Sequence, residues 1–378
     1  MSTFTRAGSA RVLPAYATVL AWLRHVKGTA MKLVRLAGPL ALLVGLLAPV
    51  ASVSAASTIY VHPGQSVQAA INKSPAGGMV VVERGTYKGN LEITRSVRLI
   101  GHDAVIVPSA KPKSNVCTYS TGAAGICVHG TINADNTPKK AVSNVSIEGF
   151  TIRNFPGGGI VAAVAANFRA VRNVTAHNGL WGIEVGVSSG VTLLYNRSYD
   201  NGGDGIRVDY SSTANAVAIG NASYLNLGTG ISFVMTLGGR IALNTTYGNC
   251  AGIVAAVAGN LSIQLNQVTG NNRWCPAVPA MEEPAYGGFG IGLLGAQDTV
   301  VSLNDVEGNV SHDGSFALGG GIVLYNGIDF GGTPPAGNSI RLNVASGNGP
   351  NDIFYDGSGS GNTISGNSCT IASPASAC

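Results

Sequence analysis

The chain is built from short stretches in which apolar and polar residues alternate, and glycine, asparagine and aspartate separate these stretches. Typical examples read GIEVGV, VTLLYN, GIRVDY and VAIGN. Each stretch fits a strand of about three to five residues and is too short for a helix. The pattern therefore predicts an all-β protein with many short strands.

Two repeats of one period run through these stretches. The motif N-x-x-x-x-N begins at eight positions, and its first four steps are 23, 25, 23 and 22 residues: Asn173, Asn196, Asn221, Asn244, Asn266, Asn304, Asn343 and Asn362. Gly-Ile or similar steps keep the same period at Ile160, Ile183, Ile206, Ile231, Ile253, Ile291, Ile322 and Ile353. A period in the twenties indicates a solenoid, and three short strands with three turns make one coil of a parallel β-helix. The L-x-x-L-x-L signature of leucine-rich repeats is absent.

The asparagine repeat has a structural explanation. Successive coils of a β-helix are about 4.8 Å apart, so equivalent residues stack directly above one another. Asparagine amides that point inward at a turn can then form hydrogen bonds to the coils above and below. We predict that these asparagines hold the coils together and carry no catalytic role.

A short helix is predicted upstream of the repeats, around residues 66–73. Val67, Ala70 and Ile71 fall on one face of that helix. A helix in this position would cover the open end of the stack, and solenoids need such caps to prevent edge-to-edge pairing.

The segment SVQAAINKSPAGGMVVVERGTYKGNLEITRSVRLIG resembles the N-terminal cap and first coils of the pectin-lyase-like superfamily, and the Asn and Gly-Ile repeats resemble its later coils. The resemblance covers residues 58–368. It implies an all-β fold, a single-stranded right-handed parallel β-helix with about 22–25 residues per coil and a short N-terminal capping α-helix. Because the superfamily includes polysaccharide lyases, hydrolases, methylesterases and uronate epimerases, the resemblance also implies carbohydrate chemistry.

The resemblance does not select one activity. The hydrolase set NTD, DD, GHG and RIK is missing, and so is the DPH element of alginate epimerases. A QDT string at residues 297–299 matches part of a methylesterase element, but its DFIFG-like partner is absent. The sequence therefore leaves lyase, hydrolase and non-catalytic readings open.

Composition and charge further limit the classes of protein to which this chain can belong. Only 11% of the 378 residues are charged and 53 are glycine, which excludes a coiled coil, a helical bundle or a charged disordered tail. The net charge of +5 comes from the N-terminal segment, because six of the 23 basic residues and none of the 18 acidic ones precede residue 56. The remainder is nearly neutral, so neither nucleic acid nor an anionic membrane is predicted as a partner.

The N-terminal segment predicts export. Residues 31–55 have a short basic start, an apolar run and small residues before a cleavage site after Ala55, as a signal peptide does. We expect an upstream extension at 1–30, the signal peptide at 31–55, a β-helix domain at 56–368 and a tail at 369–378. The protein is then secreted, extracellular or periplasmic.

All six cysteines follow the predicted signal peptide, which favours disulfides in an oxidising compartment. Sequence neighbours suggest the pairs Cys117–Cys127, Cys250–Cys275 and Cys369–Cys378, the last closing the tail. Six cysteines allow fifteen connectivities. For Cys250 and Cys275, the repeat register independently supports a link between adjacent coils.

Candidate catalytic residues come from alternation within the strands that follow Gly-Ile. Glu184, Arg207 and Asp209 should point outward on neighbouring coils of one exposed sheet. The β-carbons of Glu184 and Asp209 would be roughly 8 Å apart, within the spacing of about 6.5–9.5 Å used by inverting glycosidases. As the resemblance to lyases implies, Arg207 could instead be a lyase's base-like or charge-neutralising residue. The competing interpretation is a solvated salt bridge between strands.

The same register extends this site. His177 should stack on Asp200, and Trp181 on Asp204, which adds His177 and Asp204 to the catalytic candidates and Trp181 to the substrate-binding ones. The other substrate-binding candidates share one repeat position on three consecutive coils: Tyr199, Tyr224 and Tyr247. Such tyrosines could stack on sugar rings or simply stabilise a turn.

Two insertions leave one corner of the predicted helix beside this sheet. The interval before the Gly-Ile step lengthens from four or five residues to 20 between Asn271 and Ile291, and to 13 between Asn309 and Ile322. The first carries Trp274, Glu282, Glu283 and Tyr286, and the second carries His312 and Asp313. With an excursion at residues 108–143 on the other side, they would form the walls of a groove or be tolerated surface loops.

These features support two functions. The first is a secreted enzyme that cleaves or modifies a polysaccharide, as a lyase or glycoside hydrolase, in the groove; the second is a non-catalytic glycan-binding, adhesive or structural β-helix. No cofactor or metal is predicted, although calcium stays an option because lyases of this fold often bind it through carboxylates. The expected partner is a polysaccharide, with no membrane contact after signal cleavage, and the expected state is a monomer.

Overall fold

The computed structural model describes residues 57–118, 121–133, 137–211, 215–276, 285–311 and 319–378. The predicted upstream extension and signal peptide lie outside them. In these residues the chain winds through three parallel sheets, each of which receives one strand from most coils. The prediction of an all-β parallel solenoid is confirmed.

Sheet 1 contains the strands β1 (Thr58–Val61), β2 (Gly78–Val82), β5 (Val97–Val107), β10 (Ser146–Arg153), β13 (Arg169–Val171), β16 (Thr192–Leu194), β19 (Ala216–Ile219), β22 (Leu237–Ala242), β25 (Gly259–Gln264), β30 (Val300–Ser302), β33 (Ser339–Arg341) and β36 (Thr363–Ser365). Sheet 2 contains β3 (Gly85–Lys88), the second halves of β5 and β10, β14 (Val174–Ala176), β17 (Arg197–Tyr199), β20 (Ala222–Tyr224), β23 (Thr245–Tyr247), β26 (Gln267–Thr269), β31 (Asp305–Glu307) and β34 (Val344–Ser346).

Sheet 3 contains β4 (Leu91–Ile93), β6 (Ile126–His129), β11 (Ile160–Ala163), β15 (Ile183–Gly186), β18 (Ile206–Asp209), β21 (Thr229–Val234), β24 (Ala251–Ala256), β29 (Phe289–Leu294), β32 (Gly320–Tyr325), β35 (Asn351–Tyr355) and β37 (Ala372–Ser373). Short pairs outside these sheets are β7 (Thr131–Ile132) with β8 (Pro138–Lys140), β9 (Val142–Ser143) with β12 (Ala165–Ala166), and β27 (Trp274–Cys275) with β28 (Tyr286–Gly287). One α-helix, α1 (Val67–Lys73), and two 3₁₀ turns (Ile328–Phe330 and Ala375–Ala377) complete the described elements.

The predicted isoleucine ladder forms the centre of the core. Its eight residues, Ile160, Ile183, Ile206, Ile231, Ile253, Ile291, Ile322 and Ile353, are partners in successive strands of sheet 3 and are fully buried. Phe150, Phe168 and Phe233 fill the same interior. Stacking like residues on like keeps the cross-section constant, so every coil buries its inward side chains against two neighbours.

Helix α1 caps this core at its N-terminal end, as predicted. The hydroxyl of Ser66 accepts a hydrogen bond from the N–H of Ala69 over 3.1 Å and so caps the helix. Val67, Ala70 and Ile71 are buried against the first coils. The apolar face predicted from the sequence therefore covers the open end of the stack.

Two asparagine ladders line the turns between the sheets. The first, between sheets 1 and 2, contains Asn173, Asn196, Asn221, Asn244, Asn266, Asn304, Asn343 and Asn367; the second, between sheets 2 and 3, contains Asn178, Asn201, Asn226, Asn249, Asn271, Asn309 and Asn348. Within each ladder, the amide Nδ2 and the main-chain N–H donate to Oδ1 of the next member. All these residues are buried, so the predicted structural role is confirmed.

One asparagine of the predicted ladder is placed differently. Asn362 does not continue the first ladder; it accepts from Asn338 at the turn between sheets 3 and 1, while Asn367 ends the first ladder. The predicted place of Asn362 in the ladder is therefore wrong, while its predicted role in joining neighbouring coils is confirmed. Asparagines five residues apart occupy the two turns that flank sheet 2, but they also occupy the two turns that flank sheet 1. The motif N-x-x-x-x-N therefore recurs at residues 362–367 in a shifted register.

All three predicted disulfides form: Cys117–Cys127, Cys250–Cys275 and Cys369–Cys378. Strand β37 lies within the predicted tail and pairs with β35, so parallel pairing continues beyond the predicted boundary at residue 368. Among the residues described, no helix is long and apolar enough to cross a membrane.

Candidate active site

The predicted charged residues lie on two neighbouring strands of sheet 3. Glu184 on β15 is the register partner of Arg207 on β18, and Gly186 is the partner of Asp209. Alternation within the strands turns Ile183, Ile206 and their inward neighbours to the core and turns these charged residues to the outer face. The register derived from the sequence is confirmed.

Arg207 is held by two carboxylates. Its Nε donates to Oδ2 of Asp209 over 3.0 Å, and its Nη1 donates to Oδ2 of Asp204 over 3.4 Å. The central guanidinium carbon lies 5.7 Å from the centre of the Trp181 ring, within cation–π range. The arginine, the two aspartates and Glu184 form what we call the Arg207 cluster.

Asp204 is tied to the next coil as well as to Arg207. It lies in the turn before β18, where Oδ1 accepts the N–H of Thr229 over 2.6 Å and Oδ2 accepts the hydroxyl of Ser232 over 2.5 Å. Both donors belong to β21. With donors on two sides, the Asp204 carboxylate is suited to orienting the guanidinium rather than to exchanging a proton with a substrate.

A glycine makes room for the other two carboxylates. A β-carbon on Gly186 would lie 2.8 Å from Oδ1 of Asp209 and 3.9 Å from Oε1 of Glu184. Both oxygens therefore converge on one point above Gly186. The preceding coil has Ala163 at the equivalent position, so the space is specific to the coil that carries the charges.

The cluster is buried, which corrects the prediction of an exposed sheet. Residue exposure is 3% for Glu184, 5% for Asp204 and 1% for Asp209, and the Arg207 side chain is 12% exposed. The side chains do point away from the core, but chain segments outside the coils cover much of this face. Alternation predicts only the direction of a side chain, and it contains no information about such a cover.

Two covering segments can be identified. At the N-terminal end, Cys117 and Ala124 of the long excursion pack on Val161 and Cys127 of sheet 3, and the Cys117–Cys127 disulfide fixes them there. At the C-terminal end, a second apolar cluster lies on the outer face: Ala251, Val254, Ala256, Phe289, Leu294 and Val323, with Tyr286 packed against it. Tyr286 of the first insertion and part of the excursion therefore pack on sheet 3, on either side of the Arg207 cluster along the stack.

The first insertion is fastened close to the cluster. Strands β27 and β28 form an antiparallel hairpin, and the Cys250–Cys275 disulfide links it to the preceding coil. The hydroxyls of Tyr286 and Thr229 are hydrogen-bonded at 3.0 Å, and Thr229 also contacts Asp204. The side chain of Trp274 is exposed. The other insertion residues named from the sequence, Glu282, Glu283, His312 and Asp313, lie outside the described residues.

His177 pairs with Asp200, as the register predicts. Its Nδ1 lies 3.0 Å from Oδ2 of Asp200, and both side chains are about half exposed. The ring also meets Tyr199 edge to face, with centroids 5.5 Å apart. These contacts place His177 on the sheet 2 side of the second asparagine ladder, whereas the Arg207 cluster lies on the sheet 3 side.

The aromatic candidates present less ring surface than expected. Trp181 is 3% exposed and packs beside Arg207. Tyr199 and Tyr224 stack at 5.0 Å with an interplanar angle of 1°, and Tyr224 and Tyr247 at 4.6 Å and 4°. The rings cover one another's faces, Tyr224 in the middle is buried, and Tyr247 at one end is exposed. A sugar ring could stack only at an end of this ladder.

Arg197 fixes the tyrosine ladder from one side. Its Nε donates to the Tyr224 hydroxyl over 2.5 Å, and its guanidinium lies 5.1 Å from the centre of the Tyr199 ring. The hydrogen bond to Tyr224 raises the pKa of Arg197, and burial raises the pKa of Tyr224. The contacts favour the interpretation that the ladder stabilises this turn.

Three contributors to the site escaped sequence reasoning: Thr229, Ser232 and Gly186. Ser232 occupies the position aligned with Arg207 on the next coil, so the register alone could have indicated its contact. The space above Gly186 could have been noticed as a glycine replacing the alanine of the preceding coil. Thr229 acts through its main chain on Asp204, and no side-chain pattern signals that contact.

Within the described parts of the chain, no group of three or more histidine, cysteine, aspartate or glutamate side chains is arranged to hold a metal ion. Three carboxylates do occur in the Arg207 cluster, but two of them are committed to the guanidinium. The residues present therefore give no basis for assigning the calcium that the resemblance left open.

Comparison with solved structures finds the same kind of fold in several proteins. The A-module of mannuronan C-5 epimerase AlgE4 from Azotobacter vinelandii gives a TM-score of 0.51 at 18% identity, over 81% of this chain and 92% of that one. Pectate lyase Pel9A gives 0.50 at 13%, over 84% and 80%. The catalytic unit of an α-1,3-glucanase from Streptomyces thermodiastaticus gives 0.52 at 13%, over 83% and 66%. At such identities the likeness concerns the fold alone.

Sequence comparison gives the family. A search of curated protein sequences gives no match. The family model described as the right-handed β-helix region matches residues 90–236 and 139–305, which together span more than half of the chain. The chain therefore belongs to the right-handed β-helix family.

Proposed function

We propose that this protein is a secreted carbohydrate-active β-helix enzyme that cleaves or modifies a polysaccharide at the Arg207 cluster. One observation carries the proposal: Glu184 Oε1 and Asp209 Oδ1 converge above Gly186, with Arg207 beside them. Two carboxyl groups facing one space are the groups that general acid–base chemistry on a glycan requires. The fold supports this assignment by analogy with the epimerase, lyase and glucanase named above.

The energetics of the cluster also favour a functional role. Burying four ionisable groups costs more in desolvation than a similar apolar packing would, so a buried ionic cluster is a poor device for stability alone. Among the outer positions of sheet 3 aligned with Glu184, Glu92 on β4 is also charged and pairs with His129, whereas Cys127, Val161, Ser232 and Val254 carry no charge. The repeat by itself therefore does not require charged residues at the positions of the Arg207 cluster.

Access to the cluster is proposed to come from movement of its cover. Arg207, Asp204 and Thr229 form a continuous line of contacts to Tyr286 in the first insertion. A glycan chain that displaced this insertion would reach the carboxylates and exclude water from them. Three disulfides are consistent with the oxidising compartment expected for such an enzyme.

The test is a glycan panel with the wild-type chain and Arg207→Ala. Pectate, alginate, hyaluronan-like and neutral polymers are incubated with and without calcium, and ultraviolet absorbance and reducing ends are followed. Unsaturated ends that the variant fails to produce would identify a lyase, and reducing ends without unsaturation a hydrolase. No product from any polymer, with the wild type folded by circular dichroism, would overturn the proposal.

A second candidate is a glycan-binding β-helix without catalysis, favoured by the burial of Glu184 and Asp209 and by the exposure of Tyr247 at the end of the tyrosine ladder. Tyr247 is the ladder member whose exposure, at 41%, permits direct contact with a glycan. In this case Tyr247→Ala weakens retention on immobilised glycan, whereas Arg207→Ala leaves retention intact. If the protein instead acts on glycans at the Arg207 cluster, Arg207→Ala should have the larger effect and Tyr247→Ala the smaller one.

A further inference from the structure

We infer that the Arg207 cluster accepts neutral glycans, excludes uronate-containing ones and cleaves by hydrolysis. The inference deepens the proposed function and rests on it. What carries it is the charge balance of the site: one guanidinium is surrounded by the carboxylates of Asp204, Asp209 and Glu184.

The positive charge of Arg207 is already paired with carboxylates of the protein. Arg207 forms ion pairs with Asp209 at 3.0 Å and with Asp204 at 3.4 Å, so its guanidinium is oriented toward the protein's own carboxylates. Glu184, one coil away and 3% exposed, adds a third carboxyl group. With Asp204 and Asp209 ionised, a uronate entering this space would meet a net negative charge instead of an open arginine, even while Glu184 carries its proton.

No other strand residue of sheet 3 offsets this field. Arg207 is the one lysine or arginine in the eleven strands of sheet 3, all of which are described. The sequences of the two insertions contribute a single arginine, Arg273, whose Nη1 donates to the carbonyl of Leu225 at the neighbouring turn. The lysines of the excursion at residues 108–143, Lys111, Lys113, Lys139 and Lys140, are exposed and lie outside the strands of sheet 3, so Arg207 is the basic residue that a uronate bound at the cluster would meet on the sheet itself.

The discrimination should be large because the site is buried. Two like charges about 5 Å apart repel by roughly 3 kcal/mol at an effective dielectric constant of 20, which corresponds to a preference of about a hundredfold for the neutral sugar. A neutral sugar avoids this repulsion, and its hydroxyl groups can donate to Glu184 and Asp209.

The same two carboxyl groups can complete a hydrolysis. Asp209 accepts from Arg207, which favours its ionised form, so it is assigned as the base. Glu184 in its protonated form gives its proton to the glycosidic oxygen as the bond from that oxygen to the anomeric carbon breaks. Asp209 takes a proton from water, whose oxygen forms the new bond to the anomeric carbon. One water is consumed, and one reducing end and one free hydroxyl are formed.

The experiment uses polymers that differ only at C6. Polygalacturonate and polymannuronate are compared with their carboxyl-reduced derivatives, alongside neutral glucans, and both reducing ends and ultraviolet absorbance are followed with the full chain. We expect reducing ends from a neutral polymer, at least a hundredfold faster than from its uronate counterpart, without unsaturated ends. Faster cleavage of a uronate polymer, or unsaturated products, would overturn the inference and leave carbohydrate processing intact. No cleavage of any polymer would overturn the proposed function and this inference together.

A binding measurement tests the charge argument without activity. Asp209→Asn removes one carboxylate at nearly constant volume and frees one side of the Arg207 guanidinium, so it should tighten the binding of a uronate oligosaccharide about tenfold in calorimetry. Glu307→Gln, an exposed change on sheet 2, is the matched control and should leave that affinity unchanged. Equal affinities for wild type and Asp209→Asn would contradict the assigned electrostatics.

Discussion

Arg207 and Asp209 lie two residues apart on one strand, and their side chains, both turned to the outer face of sheet 3, meet through a 3.0 Å hydrogen bond between Nε and Oδ2. Residues spaced by two share one face of a strand, so the strand itself positions this ion pair. The next coil then fixes Asp204, and through it the other side of the guanidinium. The cluster is therefore rigid on both sides before any ligand arrives.

Removing the Arg207 guanidinium tests how strongly Asp204 and Asp209 depend on their counter-charge. Arg207→Met leaves Asp204 and Asp209 buried without their counter-charge, so we expect the free energy of unfolding to fall by about 3 kcal/mol and glycan processing to be lost. Urea denaturation followed by circular dichroism measures the first effect. Arg240→Met, an exposed arginine on sheet 1, is the matched control and should change stability by less than about 0.5 kcal/mol. Equal midpoints for both variants would contradict the account.

The space above Gly186 can be filled directly. In Gly186→Ala the added methyl would lie 2.8 Å from Asp209 Oδ1, so the carboxylate must turn away. We expect activity to fall at least tenfold, with a loss of about 1–2 kcal/mol in the free energy of unfolding. The reciprocal change on the preceding coil, Ala163→Gly, should affect stability by a comparable amount and leave activity close to wild type. Full activity in Gly186→Ala would show that this space is not used.

The asparagine ladders should depend on their interior members. Asn226 is fully buried, accepts from Asn201 and donates to Asn249, so Asn226→Ala removes the acceptor of the Asn201 main-chain N–H and amide and a donor to the Ser198 carbonyl, while the main-chain N–H of residue 226 still donates to Asn249. We expect a loss of about 3 kcal/mol in the free energy of unfolding, measured in urea. Asn367→Ala, at the end of the first ladder, should lose clearly less, and equal losses would argue against the ladder as a cooperative element.

Asp352 should make stability depend on pH. Burial alone would raise its pKa, but hydrogen bonds from Thr370, Asn348 and Ile371 outweigh burial and lower the pKa below its ordinary value. Because the folded pKa is depressed, the contribution to stability is present above the unfolded value of about 3.9 and is lost as pH falls through the folded pKa.

The variant Asp352→Asn tests this dependence. It should lower the free energy of unfolding by about 1–3 kcal/mol near pH 7, because one amide oxygen cannot accept from all the donors of the carboxylate. The gap to the wild type should narrow as pH falls toward about 2, since the wild-type carboxylate is then protonated. Urea titrations at both pH values measure the gap, and a gap independent of pH would contradict the assigned role.

Much of this fold could be predicted because each coil repeats the residue pattern of its neighbours, so equivalent positions can be aligned in the sequence. The isoleucine ladder, the asparagine ladders and the Cys250–Cys275 link all follow from one register. That register failed at Asn362, where a five-residue spacing between asparagines joins a different pair of turns. A period alone cannot tell which turn a motif occupies when two turns share a spacing.

The sequence predicted the direction of the candidate side chains, but it did not predict their burial. Alternation placed Glu184, Arg207 and Asp209 on one outer face, and the structure agrees. Their burial depends on segments outside the repeat, such as the excursion held by Cys117–Cys127 and the hairpin that carries Tyr286. The packing of these non-repeating segments is determined by long-range contacts, which a repeat pattern does not encode.

The most direct test of the central claim is the rate of glycan cleavage by wild type and Asp209→Asn on whichever polymer of the panel reacts. Because Asp209→Asn keeps the shape of the side chain and removes its charge, it separates proton transfer from packing. The account predicts a fall in kcat of at least a hundredfold, roughly the contribution of a general base, with KM changed little and the folded state preserved. An unchanged kcat in a folded Asp209→Asn variant would contradict it, and the carbohydrate chemistry would then have to lie elsewhere on the β-helix.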